Sequence, residues 1–215
     1  MKFLWLIIPV LLAGQIEAQF DESSIGGKIG FNLGHFTGED SDLDNTDTKL
    51  RPGINVGAFA NIALHEIFSL QPEIQYTQKG ETVEAGNDLV SGSWNIQLSY
   101  LEIPLLAKVA FPVEARTRPY VYAGPFLGIN LQSETDEIYE VGPFNFDAGT
   151  DLDEDVNQVE SGVVTGVGFS HDLDKFLMFL DFRYTIGLTK TFDDDIFDDV
   201  FTGTLAGQLG FGFKL

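Results

Sequence analysis

The stretch from Gly203 to Leu215, GTLAGQLGFGFKL, places large apolar residues on every second position: Leu205, Leu209, Phe211, Phe213 and Leu215. Thr204, Ala206, Gln208, Gly210, Gly212 and Lys214 occupy the alternate phase. A period of two means a strand with one greasy face and one small or polar face. In a chain that opens with an export signal, such a strand points to a transmembrane β-barrel.

The export signal is read from Lys2, the apolar run Phe3 to Ala13, and Ile16-Glu17-Ala18 before the expected cut. Residues 1–18 are then a cleaved signal peptide and residues 19–215 one barrel domain. At about eleven residues, the apolar run is short of the roughly 20 that span a bilayer. No later run is long and apolar enough for a membrane helix, which leaves alternating strands as the way across. The chain has no cysteine, so it relies on a core or a closed sheet rather than on disulfides. A net charge of −21 argues against nucleic acid as a partner.

Seven further segments alternate: 25–36, 50–63, 67–79, 93–111, 119–131, 161–170 and 176–188. With the terminal segment they predict eight strands. In the first, Ile29, Phe31 and Leu33 oppose Lys28, Gly30 and Asn32. In the fourth, the outward set begins as Ile96, Leu98 and Tyr100, then shifts to Leu101, Ile103, Leu105, Ala107, Val109 and Phe111. A one-residue phase slip predicts a β-bulge near Tyr100. In the fifth the faces are poorly separated, since Tyr120, Tyr122 and Phe126 oppose Val121, Ala123 and Leu127.

The connections alternate in length. Segments 64–66, 112–118 and 171–175 are short, while 37–49, 81–92, 132–160 and 189–202 are long. Short periplasmic turns and long extracellular loops are the asymmetry of outer-membrane barrels. The long loops hold 23 of the 33 acidic residues, which concentrates the acid on one rim.

Lys28, Glu73, Lys79, Glu102, Lys108, Asp181, Arg183 and Lys214 all fall on the inward phase. On a lipid-facing position an Arg or Lys costs roughly 2–4 kcal/mol at the midplane. Inside, opposite charges can pair. Eight strands enclose an interior just wide enough for side chains. The expectation is a plugged barrel with an ion-pair network rather than an open pore.

The segments GGKIGFNLG (Gly26 to Gly34), SLQPEIQYTQKG (Ser69 to Gly80), SYLEIPLLAKVAF (Ser99 to Phe111), YVYAGPFLGINL (Tyr120 to Leu131) and LGFGFKL (Leu209 to Leu215) are similar to the PorT-like outer-membrane β-barrel family of the Bacteroidetes. YLEIPLLAK is the most specific of these tracts. The resemblance spans nearly all of residues 19–215. It implies an eight-stranded outer-membrane barrel and offers no catalytic motif to carry over. PorT itself is tied to a protein-secretion system.

Asp151, Asp153 and Asp155 form a calcium candidate, because hard cations take several oxygens. The EF-hand pattern fails there, with Val156 at its Gly position and Gly162 at its final Glu position. Charge blocks of this kind are usually solvated loops, and an acidic rim attracts divalent cations diffusely. No cofactor is implied. His65 and His171 lie in short turns, and His35 lies near the outer rim on the outward phase. None has an evident orienting partner, so no enzyme is expected. Ile138 to Phe146 alternates around Gly142-Pro143. A loop burying its own aromatics is preferred there over a small hairpin with an exposed edge.

These readings converge on an integral outer-membrane barrel of a Gram-negative bacterium. It is expected to act structurally or through interactions at its acidic outer loops, with membrane lipid and proteins as partners. One alternative is a soluble lipocalin-like barrel binding a small apolar ligand, which needs apolar residues inside and polar ones outside. A narrow channel or a secretion-system accessory barrel is the second alternative.

Overall fold

The computed structural model describes residues 23–37, 47–87, 90–113, 115–141, 144–151, 156–191 and 200–215. They form β1 (Ser24–Thr37), β2 (Asp47–His65), β3 (Phe68–Asn87), β4 (Val90–Ala110), β5 (Thr117–Val141), β6 (Phe144–Asp151), β7 (Val159–Leu173), β8 (Phe176–Gly187) and β9 (Phe201–Lys214). All but β6 close an antiparallel ring in the order β1-β2-β3-β4-β5-β7-β8-β9. The seam between β9 and β1 is in register from Ser24 opposite Lys214 to Thr37 opposite Phe201. Closure leaves no strand edge in the ring, which is what lets strands cross a bilayer with their backbone groups paired.

The two faces separate as the alternation predicts for most strands. Ile29, Phe31, Leu127, Val167, Phe182 and Leu209 stand exposed on the outside, with Phe31 78% exposed. Phe176 packs on Phe211 and Phe213 at the short-turn end, with ring centroids 5.2 and 5.7 Å apart. Asn32, Glu73, Gln75, Arg183 and Gln208 are buried inside. This polarity is the reverse of a soluble ligand-carrying barrel, and it overturns the lipocalin-like alternative.

The ambiguous fifth segment resolves through its neighbour. Tyr120, Tyr122 and Phe126 on β5 stand opposite Gly168, Gly166 and Gly162 on β7. A Cβ on any of these glycines would lie 2.5–2.6 Å from the facing ring. Gly124 stands opposite Val164, and Gly128 opposite Glu160. Large residues point inward on β5 because β7 leaves room for them. Tyr120, Tyr122, Phe126 and Val164 join Phe59, Leu106 and Phe179 in one apolar cluster inside the ring.

Two expectations are corrected. Leu98 and Tyr100 face inward, not outward, and Ile96 packs with them against Phe36, Val156 and Val200. The inward phase of β4 runs unbroken through Leu98, Tyr100, Glu102, Leu106 and Lys108. The bulge exists but belongs to β5: Ser99 pairs with Gln132 and Tyr100 with Asn130, leaving Leu131 as the extra residue. The interior has an apolar cluster of its own at the long-loop end, so apolar character there does not mean a lipid-facing position.

The second correction concerns the loops. β3 and β4 stay paired up to Asn87 and Val90, so only residues 88–89 remain of the loop expected at 81–92. β5 runs on to Val141 and pairs with β6, which makes the less favoured hairpin reading of Ile138 to Phe146 the correct one. Asp47 to Leu50 of β2 pair with Glu84 to Glu81 of β3. Strands β2 to β6 therefore form a wall taller than β1, β7, β8 and β9. Apart from Ile138 to Phe146, these extensions lack a continuous apolar face, so no long period of two marks them. They inherit their pairing from the register below.

Candidate functional site

The interior side chains gather into two ion clusters. In the lower one, nearer the short-turn end, Arg183 of β8 donates to both oxygens of Glu73 on β3, from Nη1 at 2.9 Å and Nη2 at 3.3 Å. Lys28 of β1 donates to the same carboxylate, and Gln71 adds a bond of 2.8 Å. Arg183 also reaches Asp181 at 3.3 Å, and Asp181 accepts the Tyr120 hydroxyl. In the upper cluster, Lys79 of β3 lies 2.7 Å from both Glu102 of β4 and Glu160 of β7. Thr202 donates to Glu160, and Lys79 sits over the Phe126 ring at 4.7 Å.

Neutral amides join the clusters. Lys28 donates to Gln208 at 3.2 Å, Gln208 to Gln75 at 3.4 Å, and Gln75 to Glu102 at 2.6 Å. Gln208 also donates to Asn55, which in turn donates to Asn32. A continuous chain of buried polar groups thus runs from Glu73 to Glu160. Buried charges are tolerated only when paired and hydrogen-bonded, and here each of these carboxylates meets a cation.

Of the eight charges placed inward from sequence, Lys28, Glu73, Lys79, Glu102, Lys108, Asp181 and Arg183 are buried in the ring. Lys214 is not brought into that group. It lies half-buried at the short-turn rim and pairs with Asp172. Glu160 was assigned to a loop, but it is an interior member of β7. The available signal was its phase: it precedes the inward Gly162 by one strand period.

Asp153 and Asp155 lie outside the described residues, and Asp151 is the last residue of β6, so the calcium candidate is not placed. His35 reaches across Gly203 to stack on Tyr184, with ring centroids 6.0 Å apart and Nε2 3.2 Å from the tyrosine hydroxyl. His171 meets the Thr117 hydroxyl at 2.8 Å at the short-turn end.

With the ring, its inverted polarity and its paired interior established, the family follows. The outer membrane protein beta-barrel domain family matches residues 16–193. The chain belongs to that family. This outer-membrane barrel is similar in structure to Ail, the attachment invasion locus protein of Yersinia pestis, at 15% identity and a TM-score of 0.41, covering 89% of this chain and 99% of that one. It is similar to Neisserial surface protein A at 13% identity and a TM-score of 0.46, covering 90% and 99%. For OprG of Pseudomonas aeruginosa the values are 11% and 0.49, covering 90% and 95%. No curated protein matches the sequence.

Proposed function

We propose that this outer-membrane barrel is plugged and works by presentation. It holds a rigid ring in the membrane, with its short turns in the periplasm, and offers the tall β2–β6 wall and acidic rim to partners outside. The observation that carries this reading is the interior chain from Glu73 to Glu160, which joins strands on different sides of the ring through paired charges. Its partners are then lipid around the apolar band and proteins at the rim, with divalent cations drawn to the acid. The reading assigns the barrel no reaction.

Conductance tests the plugged state. The purified barrel, inserted into a planar bilayer, is expected to leave the current at the level of the bare membrane. A steady current proportional to voltage would replace the plugged reading with the narrow channel. The tract YLEIPLLAK carries a second reading, an accessory barrel of a secretion system. Unchanged secretion in a deletion strain would remove it.

A further inference from the structure

Most of the deep cations have a carboxylate in contact. Lys28 and Arg183 bind Glu73, and Lys79 binds Glu102 and Glu160. Lys108 is buried as they are, yet among the described residues no carboxylate lies within ion-pair distance of its ammonium. Its contacts are the Gln71 amide oxygen at a long 3.4 Å and the face of Tyr120, 3.5 Å from the ring centre. An ammonium carries three donors, so Lys108 has donors still to offer.

Lys108 also lines a cavity of about 80 Å³ at the short-turn end of the barrel. Arg116, Arg118, Lys214 and His65 line it too, against Glu66 and Asp172. Lys214 already pairs with Asp172, and Arg116 stands 3.9 Å from Asp174 with its side chain largely in solvent. Lys108, Arg116, Arg118 and Lys214 outnumber Glu66 and Asp172 in the lining, so the cavity is cationic on balance, with the buried Lys108 in its wall and Arg116 and Arg118 at its rim. A water molecule takes about 30 Å³ in the liquid, so the space suits one compact polyatomic group. Guanidinium and ammonium groups recognise the oxygens of a phosphate through charge-assisted hydrogen bonds.

We propose that this mouth binds a phosphate group, with Lys108 as its inner contact and Arg118 and Arg116 closing on it from the rim. The site is independent of the acidic rim at the other end. The phosphate can be free in solution or belong to a phospholipid headgroup.

The test uses the folded protein in maltoside micelles, which contain no phosphate, at constant ionic strength. Inorganic phosphate is titrated in while backbone amide shifts are followed by NMR. The amides of Arg118, Ser170 and Lys214 are expected to move and saturate. Lys108→Met should weaken the apparent affinity about ten-fold or more, the loss of one charge-assisted contact. Arg118→Gln, on the rim, should weaken it as well and serves if Lys108→Met does not give the heat-modifiable folded band. In phospholipid nanodiscs, shifts of the same amides before phosphate is added identify a headgroup as the source. Shifts that appear only with added phosphate identify a soluble one. Shifts that never saturate, or an affinity unchanged in the folded variants, overturn the site.

Discussion

The two ion clusters inside the barrel are built around centres of opposite charge. In the lower one, two cations, Lys28 and Arg183, share the carboxylate of Glu73. In the upper one, two carboxylates, Glu102 and Glu160, share the ammonium of Lys79. All of these groups are buried, so burial does not distinguish them. What differs is the group left behind when the centre is lost. A guanidinium cannot give up its proton, whereas a stranded carboxylate can take one up and become neutral. The lower cluster should therefore be the less forgiving of the two.

The largest effect is expected from Glu73→Gln, which takes the only carboxylate contact from the buried Lys28 and leaves Arg183 with Asp181 alone. Breaking a buried pair in this way costs about 3–5 kcal/mol, read as unfolding free energy in urea for the barrel folded into lipid vesicles. A loss below about 1 kcal/mol would mean that the lower cluster is not held together by its charges.

Lys79→Met should cost less than Glu73→Gln, and its partner of choice should reveal the opposite charge logic. Adding Glu160→Gln should recover part of the loss, because it removes one of two facing carboxylates. Adding Lys28→Met should recover none. A double-mutant cycle measures this directly, and equal recovery by both second changes would erase the distinction between the clusters.

The smallest effect should come from Lys214→Gln. Its pair with Asp172 is at the rim and partly in water, where such pairs contribute within about 1 kcal/mol. A loss as large as that for Lys79→Met would place Lys214 functionally with the interior charges.

Much of the ring was legible in the sequence because the membrane imposes one rule on the outward face. Ile54, Val56, Ile74, Val163, Leu180 and Leu209 obey it and stand exposed. The inward face obeys no single rule. It holds ions at Glu73 and Lys79, rings at Tyr120 and Tyr122, and an apolar cluster at Leu98 and Tyr100. The last group looked lipid-facing when judged by alternation alone. The wall above the ring was illegible for a different reason. Asp47 to Leu50 and Glu134 to Glu137 alternate no apolar face, and their strand character comes from partners already aligned below. Glu160 was hidden by the same polar surroundings, although its carboxylate completes the Lys79 cluster.

The facing sizes on β5 and β7 also act like the teeth of a ratchet. A strand that slips by two residues keeps its inward side chains inward, so the division between lipid and interior cannot detect the error. The sizes can. Shifted one way, Tyr122 would meet Val164 and Gly124 would face Gly162. Shifted the other way, Phe126 would meet Val164 and Gly124 would face Gly166. Either slip drives an aromatic ring onto the valine and opens a gap between two glycines. The observed pairing of Gly124 with Val164 avoids both. Glycine in these strands is thus an alignment mark as much as a space-saver, and it lets a barrel with few kinds of lipid-facing residue still find a single arrangement.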